Sequence, residues 1–256
     1  MWISGGSLLL TLILKLVSFS YYEVYITSLR ALTALGMPYG LDEDAAYMVT
    51  WLELNKLEGV KKLAEISTDI NKNLNKKINL KDIKSKSVIN LKKNLLLING
   101  PSLFDYLYEE TIKYKKLEIY FENCVDPIFI IPLAKTLSKN LKFIRICWVN
   151  QNKKKFLVNI TKNNILIGES KKNININNGQ VLLQFSSYKK NTWKKNLEIN
   201  NINYKINFNI EQKHLKDSLK PEKKYWDIIL KLSKKTLVSA TKQSRSKGAG
   251  GGNDND

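Results

Sequence analysis

One histidine and two cysteines are all that the 256-residue sequence offers for imidazole or thiolate chemistry, and this scarcity excludes several kinds of site. Mechanisms that need two imidazoles are excluded, and neither Cys124 nor Cys147 has a second ligand at the spacing of a zinc site. Isolated cysteines cannot form a disulfide framework, so we expect buried, unreactive thiols. His214 lies among lysines and is expected at the surface. The sequence therefore predicts no metal and, lacking a phosphate-cradling glycine loop, no cofactor.

The sequence also lacks an apolar run of the length that a membrane-spanning helix needs. The run at residues 7–14 has eight residues, whereas a span needs about 20. No basic residue precedes it and no small-residue cleavage site follows it, which disfavours a signal peptide. We expect residues 1–17 to be an extraneous extension or an additional helix, with a weak membrane anchor as the alternative. The protein is expected to be cytoplasmic, without stable membrane insertion.

Arginine is scarce although the chain is strongly basic. Lysine and arginine total 42 against 23 acidic residues, for a net charge of +19, but Arg30, Arg145 and Arg245 are the only arginines. Phosphate-binding surfaces favour arginine because its planar guanidinium binds phosphate in a bidentate way. Lysine here is enriched together with asparagine and isoleucine, as an A+T-rich coding sequence would produce. We therefore expect nucleic-acid binding to be absent or non-specific.

Residues 18–66 have the pattern of a helical head. Apolar residues recur at helical spacing over residues 21–35, and the glycine- and proline-containing segment 36–40 ends that helix. Asp42 is expected to cap a second helix, whose first turn is acidic. A shorter third helix is expected over residues 60–66. Residues 67–93 are predicted to be a Lys/Asn-rich connector.

The pattern of residues 94–240 predicts a region of mixed helices and strands, the α+β body of the protein. Strands are expected at 94–98, 117–121 and 143–148, with helices from Pro101 to about 114 and over 127–138. Short strands with Asn-rich turns follow over 156–210, and Pro221 begins a last helix before a Gly-rich acidic tail, residues 241–256. We predict an α+β fold with an N-terminal helical unit, a mixed α/β middle, an antiparallel β-meander and a C-terminal helix.

Two segments differ in composition from the Lys/Asn-rich remainder. Residues 36–46 contain Tyr39, Glu43 and Asp44 and almost no lysine or asparagine, and the chain ends in a glycine run with two aspartates. Three carboxylates at a helix start could bind a cation or an amine, or could simply match the helix dipole. The tail could close a pocket or could be disordered.

These two segments resemble a family of uncharacterised bacterial proteins, domain of unknown function 3726. The N-terminal resemblance is carried by Ser20, Glu23, Arg30, Gly36, Tyr39-Gly40-Leu41, Glu43-Asp44-Ala45, Trp51-Leu52 and Gly59. The tail resemblance is carried by residues 244–256, which read SRSKGAGGGNDND. The chain departs from the family pattern at Tyr25 and Ala34. The resemblance implies that the glycine-rich tail is a recurring feature, and it supplies no reaction.

Two functions are compatible with these features. The first is a non-catalytic partner-binding protein or accessory subunit, whose protein partner is encoded in the same operon. The alternative is a small-molecule enzyme with a pocket between the helical head and the tail. The sequence assigns no catalytic residue. Candidate ligand- or partner-binding residues are Glu23, Arg30, Tyr39, Glu43, Asp44, Trp51, Arg245, Gly248, Gly250, Asp254 and Asp256.

Overall fold

The computed structural model describes residues 18–80, 83–149, 154–170, 176–188, 199–208, 215–216 and 218–236. The helices are α1 (Tyr21–Ala34), α2 (Leu41–Leu54), α3 (Gly59–Asn73), α4 (Leu96–Tyr114), α5 (Ile130–Leu137) and α6 (Lys223–Ser233). Short 3-10 turns cover Pro127–Phe129 and Lys234–Thr236. The strands are β1 (Lys86–Asn90), β2 (Lys116–Glu122), β3 (Phe143–Val149), β4 (Lys155–Ile160), β5 (Asn164–Glu169), β6 (Val181–Ser186) and β7 (Asn201–Asn207). The α+β class is confirmed.

The strands form one mixed sheet in the order β1-β2-β6-β3-β4-β5-β7. β1 runs parallel to β2, and every other neighbouring pair is antiparallel. β4 and β5 form a hairpin, in which the Thr161 N–H donates to the Asn164 carbonyl at 2.9 Å. β6 lies between β2 and β3, a placement that the strand pattern does not specify. Among the described residues, no helix combines the length and apolar character that crossing a bilayer requires.

One face of the sheet packs against the helices and forms the main core. β2 alternates between half-buried and buried positions, which places Leu117, Ile119 and Phe121 in this core. Phe104 of α4 meets Phe185 of β6 edge to face, with 6.0 Å between the ring centroids. The opposite face carries a smaller apolar cluster, which contains Cys147, Leu157, Ile176 and Leu182. Most of the buried apolar side chains therefore lie between the helices and one face of the sheet.

The helical head is closed by the C-terminal helix. Phe19 pairs with Leu219 in an isolated antiparallel bridge, and its ring lies 4.0 Å from that of Trp226. α1 then packs against both α2 and α6. The two ends of the described chain therefore stabilise each other.

Asp42 does not cap α2 as predicted. Gly40 holds the N-cap position with a φ of +87°, and Asp42 is buried one residue inside the helix. Its carboxylate accepts hydrogen bonds from Thr33 Oγ1 at 2.8 Å and from the Glu43 N–H at 2.9 Å. The acid therefore links α1 to α2, because a buried carboxylate needs donors from more than its own turn.

The predicted strand at residues 94–98 is wrong, since α4 begins at Leu96. A short apolar run fits a buried strand or a buried helix equally well, and Pro101 lies inside the helix instead of starting it. The third helix is longer than predicted and ends at Asn73. Residues 67–93, the predicted connector, thus contain the end of α3 and all of β1.

Gly59 is a position where the contact between α2 and α3 leaves no room for a side chain. A Cβ atom there would lie 2.0 Å from the Val49 carbonyl oxygen, which is backbone and cannot move aside cheaply. We expect Gly59→Ala to lower the free energy of unfolding by about 3 kcal/mol, measured by urea denaturation.

Gly100 provides the matched control in a second helix. The three atoms nearest to its Cβ would all belong to the Leu133 side chain, with Cδ1 the nearest at 2.5 Å, and the end of a leucine side chain can rotate away. Alanine also has a helix propensity about 1 kcal/mol better than glycine. Gly100→Ala should therefore stay within about 1 kcal/mol of the wild type. Equal destabilisation by the two variants would contradict the packing argument.

Candidate functional site

Glu23, a predicted site residue, serves the start of α1. The Ser20 N–H donates to Glu23 Oε2 at 2.7 Å, and the Glu23 N–H donates to Ser20 Oγ at 3.1 Å. The hydrogen bonds from Ser20 lower the pKa of the Glu23 carboxyl. This reciprocal arrangement is a capping box, which stabilises a helix without any ligand.

The predicted residues around the start of α2 lie at the surface. Arg30, Glu43 and Asp44 are exposed, and Tyr39 is 91% exposed. Partial burial, and then the charges of Asp105 and Glu43, raise the pKa of Asp44. Glu43 and Asp44 therefore lie together on an open surface.

Trp51 is buried in the core of the head. Lys135 Nζ of α5 lies 5.7 Å from the Trp51 ring, 5.8 Å from the Tyr47 ring and 5.7 Å from the Phe208 ring. It also donates a hydrogen bond to the Tyr47 hydroxyl at 3.1 Å. Such cation–π contacts join α2, α5 and the residue after β7, which gives Trp51 a packing role. Arg245, Gly248, Gly250, Asp254, Asp256 and His214 lie outside the described residues.

A cavity of about 800 Å³ opens between α3 and the sheet, and we call it the junction cavity. The turn between α2 and α3 and one side of α3 form its first wall. The loop after β2, the end of β3 and the turn before β6 form the second, and Tyr204 of β7 completes it. Its chemically distinctive wall residues are Lys56, Glu58, Lys62, Glu65, Ile66, Cys124, Val125, Asp126, Ile128, Trp148 and Gln180.

Asp126 is the buried ionisable group in this wall. It follows β2 in a loop and is only 5% exposed. Its carboxylate accepts the Leu96 N–H at 3.0 Å to Oδ2 and 3.3 Å to Oδ1, and so binds the first N–H of α4. Burial raises the pKa of Asp126 to about 7, although backbone hydrogen bonds oppose the shift. Near neutral pH this carboxyl is therefore available in both protonation states.

Cys124 lies in the same wall but is not a reactive nucleophile. Burial, and then the neighbouring Asp126 charge, raise the pKa of its thiol far above the usual range. Burial likewise raises the pKa of Cys147 to about 12. Both thiols are free and buried, as the sequence predicted, and at neutral pH they stay protonated. Within the described ranges, no group of three histidine, cysteine or acidic side chains is placed to hold a metal ion.

The remaining charges of the cavity wall are mostly paired. Lys62 Nζ lies 2.7 Å from Glu65 Oε2, and Glu58 Oε2 accepts from Lys61 Nζ at 2.9 Å. The apolar part of the wall includes Trp148, which stacks on Phe156 with 5.7 Å between centroids. The cavity therefore combines an apolar surface with one carboxyl that can donate or accept a proton.

The sequence contained a weak signal for this site. Asp126 lies five residues after the predicted strand 117–121 and directly precedes Pro127, which indicated only the start of the next helix. A lone aspartate before a helix is usually a cap. Its burial follows from the contact with Leu96, 30 residues earlier, which no local pattern reports.

The raised pKa of Asp126 predicts a pH-dependent stability. The folded carboxyl keeps its proton up to about pH 7, whereas the unfolded one loses it near pH 4. Its contribution to the free energy of unfolding therefore falls as the pH rises from about 4 to 7. Asp126→Asn retains an oxygen that accepts from Leu96 but cannot titrate. We expect the stability difference, wild type minus variant, to fall by about 2 kcal/mol between pH 5.5 and 7.5 in urea denaturation. Parallel pH curves for the two proteins would show that Asp126 titrates normally.

Comparison with known proteins finds a family model that matches the N-terminal part of the chain and a shared fold over most of it. No curated protein matches the sequence. The solved dehydrogenase from Sinorhizobium meliloti matches with a TM-score of 0.58 at 9% identity, over 85% of this chain and 99% of that one. Since the identity is so low, this likeness shows the fold alone.

Other solved structures match less closely in shape. Malate dehydrogenase from Entamoeba histolytica matches with a TM-score of 0.41 at 13% identity, over 62% of this chain and 47% of that one. Sulfolactate dehydrogenase from Methanocaldococcus jannaschii matches with a TM-score of 0.46 at 12% identity, over 60% of this chain and 51% of that one. The chain thus spans about half the length of these two enzymes. Residues 19–94 match the family described as Protein of unknown function (DUF3726), which confirms the N-terminal part of the resemblance found in the sequence.

Proposed function

We propose that this protein binds a small organic molecule in the junction cavity, with Asp126 as the group that exchanges a proton with it. The observation that carries this proposal is a buried carboxyl in the wall of a cavity of about 800 Å³. That volume lies within the range of pockets that hold small molecules. The apolar side chains Ile66, Ile128 and Trp148 give such a molecule a surface to pack against.

Asp126 suits proton exchange because its position and its pKa are both set by the fold. The Leu96 N–H holds the carboxyl at the start of α4, so a ligand meets it in a fixed orientation. A pKa of about 7 leaves both forms populated at neutral pH, the condition under which general acid–base catalysis is most efficient. The protonated form can donate to a ligand oxygen, and the ionised form can accept from a hydroxyl.

The shared fold supports the enzyme alternative within this proposal. The Sinorhizobium meliloti protein with this fold carries the name dehydrogenase. Because one fold hosts many functions, the proposal rests on the cavity and uses the fold only as support.

The proposal is tested by filling the cavity. N-phenyl-1-naphthylamine is a neutral apolar probe that fluoresces when it leaves water. We expect saturable binding to the full-length wild type. Binding to Val125→Trp should be at least about tenfold weaker, because a tenfold loss of affinity corresponds to only about 1.4 kcal/mol of binding free energy. Val125 lies in the cavity wall and is 49% exposed, so the larger ring can enter the cavity without repacking the core.

Val88→Trp is the matched control for this experiment. Val88 is 61% exposed on β1, away from the cavity wall, so the variant adds the same ring to the surface. Its probe affinity should equal that of the wild type. Equal affinity in all three proteins would place the probe outside the cavity and contradict the proposal.

The accessory-subunit interpretation stays a prediction, and Tyr39 is the observation that favours it. An aromatic ring that is 91% exposed beside Glu43 and Asp44 offers a partner both apolar and acidic contacts. A stoichiometric protein partner should then co-purify with the full chain from native cells, and Tyr39→Ala should lose it. Purification without a partner, from cells that express the protein at native level, would count against this interpretation.

A further inference from the structure

We infer that the junction cavity selects a small organic anion, for which Lys56 supplies the positive charge and Asp126 a hydrogen-bond donor. This inference rests on the proposed function and adds the chemical class of the ligand. The inference is based on the ion pairs that the charged side chains of the cavity wall form.

Lys56 differs from the other charged side chains that the α2–α3 turn and α3 contribute to the wall. Of the four charged side chains contributed by the α2–α3 turn and α3, Glu58 is bound by Lys61, and Lys62 and Glu65 bind each other. Lys56 has no ion-pair partner among the described residues, and its side chain is exposed at the cavity. A bound anion would meet an ammonium group that no carboxylate in the described ranges engages.

The wall facing α3 adds little negative charge to oppose an anion. Its titratable groups are Cys124 and Asp126 from the loop after β2 and Tyr204 from β7. The Cys124 thiol is protonated at neutral pH, and burial raises the pKa of Asp126 to about 7, which favours its neutral form. In its protonated form Asp126 can donate to an anionic oxygen, and in its ionised form it would repel one.

Binding of an anion is therefore coupled to the protonation of Asp126. The ligand's negative charge favours the neutral carboxyl, so some protein molecules take up a proton from solvent when the anion binds. No bond to carbon forms or breaks in this step: one proton moves from buffer to a carboxylate oxygen. A neutral ligand of the same shape gives no such uptake.

A pair of probes that differ by one charge tests this inference. 8-Anilinonaphthalene-1-sulfonate is the anionic counterpart of N-phenyl-1-naphthylamine. We expect Lys56→Met to weaken binding of the anionic probe about threefold to fivefold, the range of a solvent-exposed ion pair, and to leave the neutral probe unaffected. Lys139→Met, at an exposed lysine beyond α5, changes the net charge equally but lies outside the cavity wall and should change neither affinity.

Calorimetry supplies the second readout. At pH 7, titrations of the anionic probe in buffers of low and high ionisation enthalpy should show proton uptake by the wild type and none by Asp126→Asn. The anion inference would be overturned if Lys56→Met and Lys139→Met bound the anionic probe equally well. The proposed function would still stand if Val125→Trp abolished binding of the neutral probe. Failure of the neutral probe to bind the cavity would remove the proposed function itself.

Discussion

The contact between the Asp126 carboxylate and the Leu96 N–H joins the loop after β2 to the start of α4. Asp126 lies in the loop after β2, and Leu96 begins α4, the longest described helix. The first N–H groups of a helix have no partner within the helix, and an isolated buried carboxylate is costly. Each group satisfies the other, so the loop after β2 is drawn against the start of α4. That arrangement shapes the wall of the junction cavity.

The local patterns of the sequence predicted the elements well where a single periodicity dominates. The apolar spacing of α1 and α2, the alternation of β2 and the turn between β4 and β5 are all determined within a few residues. Residues 94–98 show the limit, because the four apolar residues 95–98 fit a buried strand and a buried helix alike. The deciding interaction there is the distant carboxyl of Asp126.

The candidate site was harder to predict than the fold. Composition drew attention to Tyr39, Glu43 and Asp44, which are unusual in a Lys/Asn-rich chain and lie together at the surface. The cavity residues carry no compositional signal, because lysine, isoleucine and asparagine are common throughout. What distinguishes Asp126 and Lys56 is their surroundings, namely burial for one and the absence of a described ion-pair partner for the other. Such properties arise where the α2–α3 turn, α3, the loop after β2 and the start of β6 surround one cavity, and these elements are far apart in sequence.

Burial has opposite chemical consequences for the two neighbours Cys124 and Asp126. Removal from water disfavours the charged form of each, so both pKa values rise. A thiol already titrates above neutral pH, and a further rise leaves it protonated and unreactive. A carboxyl titrates well below neutral pH, and the same displacement brings it to about 7, where it can both give and take a proton. Desolvation therefore leaves the Cys124 thiol unreactive, as the sequence predicted, and gives the neighbouring Asp126 carboxyl a pKa at which it can exchange a proton.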